Sequence, residues 1–535
     1  MIQIKTFITK TTGIFLFLIL SVALAVNVWK FSGYVNGKLQ WLFIAGAIGL
    51  IALFCVFGGA FLNKIKRLLA FSDGWSVRTM ALIMFIALAV SKIFLVFLLD
   101  NNVHNHDDMH HYLYFAEQIA DNGVIADETL YARLFPYTVL YGMLLSPFFK
   151  LFGSDPKVAT VLMSVLLTVT SVLLFDIIRP YAGKKKAFWG IMLYNFLPIG
   201  LFQSQVVVHE TVLLFCSVLA FWLLQKALKK ELSAPKRVVL LLLSALTIAI
   251  GTRLNLGGAV TIIAFVIYVL VKQLQTGFSL KKALNLPVTA ACYALCTVLI
   301  FGLFSVAFSN IVATPADKKA REESIAANAL PMGWNTYLGC NDSTGGVWNA
   351  EDWQTYSRYF SMTDPREAKD YQKKLVRERA ESLCSDPPRL AKHLCNKAVE
   401  QWGVPLLGIV YGKGGNKIND FLLYAGNRAI YKGILALCYL SNILIYTIIL
   451  FSYFKKRKKG GHAPVTPALQ FKLMIVGTAL ALFPFEISNK YICHLHLLLM
   501  AVAIMSCARF IDNSERLRKK LFRSKHADRI DYNSK

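Results

Sequence analysis

The chain has 535 residues, of which 56% are hydrophobic and only 17% are charged, and its mean hydropathy is +0.50. These values exclude an ordinary soluble globular protein and indicate a multi-pass membrane protein. The net charge of +27 would favour nucleic-acid binding in a soluble chain, but the basic residues stand in short runs between apolar segments, as in Lys184–Lys186 and Lys455–Lys459. Cytoplasmic loops prefer Lys and Arg, so we expect no nucleic-acid partner.

Apolar segments of bilayer length follow one another along the chain and predict an all-α polytopic protein with about twelve transmembrane helices. The segments are 12–29, 41–62, 79–99, 158–178, 187–206, 211–228, two within 238–272, 287–308, 430–453, 469–487 and 493–511. Lys5 and Lys10 place the N-terminus in the cytoplasm, and with that start every basic run faces the cytoplasm. The first segment also resembles a signal peptide, with Ala23-Leu-Ala25 as the cleavage site, but we favour an uncleaved helix.

This pattern predicts a plasma-membrane protein with both termini in the cytoplasm. Five parts follow in order: two N-terminal transmembrane helices (1–78), a transmembrane core (79–308) with a large external loop (100–157), an extracytoplasmic region (309–429), C-terminal transmembrane helices (430–511) and a basic cytoplasmic tail (512–535). The ionisable residues outside the basic runs gather on the outer face, which makes that face the expected site of function.

The external loop begins with a cluster of acidic and histidine side chains. Apolar residues recur at helical spacing from Tyr112 to Ile119, and a second apolar piece follows at 135–151, so we expect two helices lying in the membrane interface. Asp107 and Asp108 are candidates for acid/base catalysis. Four side chains at the start of the first helix also suggest a bound divalent cation, the one cofactor that the residues indicate: His106, Asp107, His110 and His111.

The 309–429 region is the largest polar part, with helices expected near 317–329, 364–383 and 388–402. Trp334 and Trp348 lie among amides and carboxylates, a combination that suits stacking on sugar rings but equally suits anchoring at lipid headgroups. The cysteines of this region, Cys340, Cys384 and Cys395, form at most one disulfide, whose pairing stays open.

Four stretches together resemble the GT-C class of polytopic glycosyltransferases, specifically bacterial relatives of the protein O-mannosyltransferases and the lipid-A aminoarabinose transferases. The resemblance spans roughly residues 79–511, with the first two helices as an addition. The stretches are Asp108…Tyr112…Ala116, Phe135-Pro136-Tyr137 through Leu151-Phe152-Gly153, Pro198…His209-Glu210, and Glu486…Asn489-Lys490-Tyr491. In the last stretch Lys490 replaces the Arg of the family pattern, which keeps the charge but loses bidentate phosphate geometry.

The resemblance implies an inverting enzyme that moves a sugar from a polyprenyl-phosphate carrier to an acceptor on the extracytoplasmic face, with Asp108 or its neighbour Asp107 as the base. The acceptor is a cell-envelope polymer, a glycolipid or a protein. Glu210 is a further catalytic candidate. The chemistry also needs cations near the leaving phosphate, for which the candidates are Arg253, Lys490 and His494. Contacts to the sugar or the acceptor are expected from Tyr112, His209, Trp334, Trp348 and Glu486.

Other interpretations remain open at this point. Asp108 is also a good N-cap for its helix, Arg253 has the position of a snorkelling interface residue, and Glu486 stands one helical turn from Lys490. The alternative functions are a secondary transporter with an external ion site and a polymerase or ligase of lipid-linked glycans. The absence of an internal repeat and the crowding of ionisable groups on one face favour the transferase.

Overall fold

The computed structural model describes residues 2–32, 40–100, 107–229, 231–255, 257–275, 285–313, 316–330, 332–403, 428–454 and 465–531. Within these ranges the chain is helical and forms no β-strand. The helices are α1 (Ile2–Ser32), α2 (Gln40–Leu68), α3 (Val77–Leu99), α4 (Asp107–Asn122), α5 (Thr129–Leu134), α6 (Pro136–Phe152), α7 (Pro156–Ala182), α8 (Lys184–Phe196), α9 (Pro198–Gln203), α10 (His209–Ala227), α11 (Ala234–Leu254), α12 (Gly257–Gln275), α13 (Asn285–Ile311), α14 (Ala316–Asn328), α15 (Gly333–Gly339), α16 (Ala350–Tyr356), α17 (Pro365–Cys384), α18 (Pro387–Trp402), α19 (Arg428–Phe451), α20 (Pro467–Ala481) and α21 (Leu495–Asp531).

Ten helices in the described ranges are long and apolar enough to cross a membrane: α1, α2, α3, α7, α10, α11, α12, α13, α19 and α21. The protein is therefore a multi-pass membrane protein, as expected. The other two predicted spans are shorter. The 187–206 segment is divided between α8 and α9 because Pro198 cannot continue a helix. The 469–487 segment is helical only in the 15 residues of α20, so the predicted number of twelve is not confirmed.

Local sequence signals account for several helix ends. Asp386 caps α18 by accepting a hydrogen bond from the backbone N–H of Arg389 at 3.1 Å, and Pro387 occupies the first turn, where a missing N–H costs nothing. The two segments predicted within 238–272 are α11, which ends at Leu254, and α12, which begins at Gly257. A Cβ on Gly258 would lie 2.4 Å from the Thr252 backbone, so this tight reversal requires glycine.

The two helices expected in the external loop are α4 and α6, which pack along each other. The short helix α5 between them was not predicted. After α4 the chain turns back toward α13: the N–H of Ile125 donates to the carbonyl of Ile311 at 2.8 Å, and the N–H of Ala313 donates to Ile125 at 3.0 Å. Buried apolar side chains of α4, α6, α7 and α10 form one hydrophobic cluster under the loop.

The helices divide into a buried core and an exposed apolar shell. α10 lies at the centre, packed against α7, α11 and α12. In contrast, α2 and α13 present large apolar side chains on the surface, including Leu42 at 69% exposure and Val298 at 71%. An apolar surface of this kind is stable against lipid tails and unfavourable in water.

Helices α14–α18 form a polar unit, defined here as residues 316–403, around a small core that includes Tyr337 and Tyr356. The helices expected near 317–329, 364–383 and 388–402 are α14, α17 and α18. The buried Lys397 joins this unit to the turn before α21: its Nζ donates to the carbonyls of Gly339 at 2.8 Å, Phe483 at 2.8 Å and Phe485 at 2.9 Å. Cys340, Cys384 and Cys395 are free thiols.

Candidate functional site

Three tyrosines converge on Asp108 in the first turn of α4. Tyr131 donates to Oδ1 of Asp108 at 2.8 Å, while Tyr137 and Tyr112 donate to Oδ2 at 3.2 and 3.4 Å. Tyr112 stands one turn along α4, Tyr131 lies on α5, and Tyr137 opens α6 directly after Pro136. Helices α4, α5 and α6 therefore meet at this carboxylate.

The tyrosines at Asp108 act as hydrogen-bond donors because they stay protonated. Burial raises the pKa of Tyr112 well above its usual value, and the nearby charge of Asp108 raises it further. Burial and the charge of Asp108 also raise the pKa of Tyr137, with smaller contributions from Tyr131, Tyr491 and Glu486. The last two groups therefore lie on the Tyr137 side of the site.

A second group of polar side chains adjoins the first through Tyr112, whose hydroxyl lies 2.7 Å from Nδ1 of His209. Nε2 of His209 lies 3.0 Å from Nδ2 of Asn255 and 3.2 Å from Oε1 of Glu210. The orientation of the Asn255 amide is set by its own turn, since its Oδ1 accepts the N–H of Gly257 at 2.9 Å. Its NH2 group therefore faces His209 and Glu210.

The amide orientation assigns a direction to the hydrogen bonds. An Nε2 of His209 that accepts from Asn255 leaves the ring proton on Nδ1, which donates to the Tyr112 oxygen. The Tyr112 proton is then directed to Asp108. A continuous chain of donors thus runs from the α11–α12 turn to the carboxylate of α4, and it holds that carboxylate in one orientation.

The side chain of Glu210 is fully buried in the first turn of α10. The partial positive charge of a helix N-terminus favours a carboxylate there. His209 is also buried, and a Cβ on Gly257 would lie 3.9 Å from Nε2 of His494, so His494 borders the same turn. The structure therefore brings His494 close to the His209–Glu210 pair.

The remaining candidates are placed less centrally. The Arg253 guanidinium lies 4.7 and 4.4 Å from the ring centres of Phe301 and Phe304 on α13, rather than against Asp108. Trp334 packs in the polar unit 5.1 Å from the ring of Trp353, and Trp348 is 54% exposed.

Glu486 and Tyr491, in the turn that follows it, lie near Tyr137. Tyr491 donates to Oε2 of Glu486 at 3.4 Å, and both contribute to the pKa of Tyr137. Lys490 stands between them in the 3-10 turn Asn489–Ile492, but its side chain lies outside the described part of the structure, as does that of Asp107. His106 is outside the described residues altogether.

Two of the four predicted metal ligands, His110 and His111, are joined by Glu128, so that the three ligand atoms lie within 4.8 Å of one another. Nδ1 of His111 lies 2.7 Å from Oε2 of Glu128. The sequence reasoning missed Glu128 and Tyr131 because both belong to the unpredicted turn and helix α5. Asn255 and Tyr491 were visible in their motifs, but the motifs alone did not mark them as site residues.

Comparison with known proteins bears on the same segment. Residues 137–301 match the family model of dolichyl-phosphate-mannose-protein mannosyltransferases. The matched stretch includes Tyr137, His209, Glu210 and Asn255, whereas Asp108 precedes it. The match confirms, over these residues, the resemblance to GT-C glycosyltransferases that the sequence motifs indicated.

Two solved structures and the curated proteins complete the comparison. The chain is 13% identical to ArnT from Cupriavidus metallidurans in the apo state, over 81% of this chain and 78% of that one, with a TM-score of 0.34. Against the same protein bound to undecaprenyl phosphate the identity is 12%, over 80% and 77% of the chains, with a TM-score of 0.33. No curated protein matches the chain.

Proposed function

We propose that the protein is a membrane glycosyltransferase that moves a sugar from a polyprenyl-phosphate carrier to an acceptor hydroxyl, with Asp108 as the base. The observation that carries the proposal is the convergence of Tyr112, Tyr131 and Tyr137 on this single carboxylate. The donor class rests on the family match to dolichyl-phosphate-mannose-protein mannosyltransferases over residues 137–301. We place the reaction on the extracytoplasmic face, in line with the distribution of basic loops.

In the proposed reaction the acceptor oxygen attacks the anomeric carbon while the bond between that carbon and the phosphate oxygen breaks. The acceptor proton passes to Asp108, and polyprenyl phosphate leaves with the bonding electrons. Attack from the face opposite the phosphate inverts the anomeric centre. The carboxylate must meet the hydroxyl in a fixed orientation, and the phenols of Tyr131 and Tyr137 hold it there from two different helices.

The leaving phosphate gains negative charge as its bond to the sugar breaks, so it needs fixed positive charge or donors nearby. Of the three candidates, His494 lies nearest the His209–Glu210 pair, beside the α11–α12 turn. Burial lowers its pKa to about 3, so it would serve as a neutral N–H donor and not as the cation that the sequence predicted. Lys490 stands in the turn between Glu486 and Tyr491 and supplies a point charge. Arg253 reaches the phosphate only if its guanidinium leaves the Phe301 and Phe304 rings, so we rank it third.

We propose that the remaining polar residues hold other side chains in position and do not exchange protons. His209 and Asn255 hold Tyr112, and the Asn255 amide also donates to Oε1 of Glu210 at the start of α10, at 3.5 Å. Glu486 is proposed to contact the sugar, because a carboxylate accepts hydrogen bonds from sugar hydroxyls. Trp334 and Trp348 are proposed to serve an acceptor that extends toward the polar unit.

The test compares Asp108→Asn with Asp121→Asn, which changes an exposed carboxylate on the same helix. Membranes that contain each variant at equal level receive polyprenyl-phosphate hexose with a radiolabelled sugar, and we measure labelled product and released polyprenyl phosphate. We expect Asp108→Asn to lower the transfer rate by about 100-fold or more, as loss of a general base does, and Asp121→Asn to have no effect.

Wild-type transfer by Asp108→Asn would refute the assignment of the base. A product that grows by whole oligosaccharides rather than by one sugar would identify a polymerase or ligase instead. Uptake of a solute that depends on Asp108 without consumption of the donor would identify a transporter.

A further inference from the structure

We infer that His110, His111 and Glu128 form a binding site for a divalent transition-metal cation such as Zn²⁺. Their three ligand atoms lie within 4.8 Å of one another. Two imidazoles and one carboxylate are the donor set of catalytic zinc sites, which leave further coordination positions for water or substrate. Sites of this composition also accept other first-row divalent ions, so Zn²⁺ serves here as the probe.

The distances require little adjustment to hold a metal. Bonds of about 2.1 Å in a tetrahedral site place ligand atoms about 3.4 Å apart. Nδ1 of His111 and Oε2 of Glu128 already lie 2.7 Å apart. The Glu128 side chain is 41% exposed and therefore free to rotate, whereas the backbone of α4 fixes the two histidines.

The backbone at Glu128 supplies a second, independent observation. Its φ of 54° lies in the left-handed region, which residues other than glycine adopt only rarely. This conformation follows the loop that turns the chain back from α4, and it directs the carboxylate to His111 at the start of α5. The surrounding structure imposes this strained backbone conformation. The conformation places the Glu128 carboxylate beside the two histidines.

Aromatic neighbours fix the histidine rings. The His111 ring stacks on Tyr131 with ring centres 3.5 Å apart and planes at 20°. The His110 ring stacks on Tyr114 at 5.6 Å and 11°. Ligand rings that cannot rotate freely lose less entropy when they bind a metal, so the site is preorganised.

Tyr131 links this site to Asp108, because the phenol that stacks on His111 also donates to Oδ1 of Asp108. A cation here would add positive charge beside Asp108, the proposed base, at the start of α4. That role in transfer rests on the proposed function, whereas binding of the metal does not.

The experiment measures binding without any sugar donor. The purified full chain in detergent is stripped with chelator and titrated with Zn²⁺, and metal content is measured by mass spectrometry after gel filtration. Co²⁺ replaces Zn²⁺ in a second titration, because its visible absorption reports nitrogen and oxygen ligands directly. The variants are His110→Gln and Glu128→Gln, and the control is Asp121→Asn.

We expect one Zn²⁺ per wild-type chain and per Asp121→Asn chain, and at least tenfold weaker binding by His110→Gln and Glu128→Gln. Equal thermal stability of all four proteins without metal shows that the substitutions leave the fold intact. Failure of the wild type to retain Zn²⁺, or equal affinity in all variants, would overturn the inference. Zn²⁺ binding together with full transfer by Asp108→Asn would instead overturn only the proposed function.

Discussion

Replacement of Lys397 by Met is expected to loosen the joint between the polar unit and the turn before α21. The amine is 3% exposed, and burial lowers its pKa to about 8, so it is mostly protonated at pH 7. Its three N–H groups serve the carbonyls of Gly339, Phe483 and Phe485. This turn continues into Glu486, and the joint therefore sets the position of one wall of the candidate site.

The size of the destabilisation by Lys397→Met follows from two opposing effects. The carbonyls of Phe483 and Phe485 lose a charged donor, at about 2–3 kcal/mol each, while that of Gly339 keeps the N–H of His393 at 2.9 Å. The lowering of the pKa from 10.5 to about 8 corresponds to about 3 kcal/mol of buried-charge cost, which methionine removes. The net destabilisation of the joint is roughly 2 kcal/mol, or about 30-fold in the opening equilibrium.

The hydrogen-exchange rates of two backbone amides report the opening equilibrium of the joint directly. The N–H of Glu486 donates to Asn335 at 2.7 Å, and the N–H of Ile487 donates to Gly346 at 2.9 Å, so both hydrogen bonds cross the joint. In Lys397→Met we expect these two amides to exchange about 30-fold faster, while the amides of α10 keep their wild-type protection.

The control is Lys392→Met, which removes an exposed lysine from the same helix. It should leave exchange at Glu486 and Ile487 unchanged. If Lys397→Met also left them unchanged, the three hydrogen bonds would not hold the joint and the reasoning would be wrong. Faster exchange throughout the protein would indicate global destabilisation instead.

Three further outcomes are expected. Tyr131→Phe removes the 2.8 Å bond to Asp108 and should lower the transfer rate about tenfold without loss of fold. Arg379→Met leaves Asp352 without its cation and should destabilise the polar unit by about 2 kcal/mol at pH 7 in thermal unfolding. Burial raises the pKa of Asp352, but its hydrogen bonds outweigh this and hold the pKa below 3.8, so the difference should persist down to about pH 4 and shrink as the pH falls further. Gly339→Ala should speed exchange at Glu486, because its Cβ would lie 2.4 Å from backbone atoms of the facing turn.

Matched controls separate these outcomes from general damage. Tyr114→Phe removes an exposed hydroxyl on α4 that donates to Asp127, and it should leave transfer unchanged. Gly433→Ala is the control for Gly339→Ala, because it adds a methyl group where no atom lies within 4 Å. Arg377→Met removes an exposed ion pair from the same helix as Arg379, and a pH-independent loss equal to that of Arg379→Met would contradict the Asp352 argument.

The sequence was sufficient for the ten membrane-length helices because their causes are local. Apolar length predicts the spans, and a capping Asp followed by Pro predicts the start of α18, since these effects act within one turn or one segment. The motif Asp108…Tyr112 was visible for the same reason, as two residues one turn apart on one helix face. The count of twelve spans is not confirmed, because Pro198 divides an apolar segment that hydropathy alone treats as continuous.

Tertiary structure alone decided which distant side chains share a site. Tyr131 reaches Asp108 across 23 positions, and Tyr112 reaches His209 across 97, because α5 and α10 pack against the end of α4. Burial of Glu210 likewise follows from the helices around α10 rather than from its neighbours in sequence. Glu128 lies beside the histidines because its backbone adopts a left-handed conformation, which no sequence pattern predicts. Contacts between separate elements depend on how all the helices pack, and no local pattern records that arrangement.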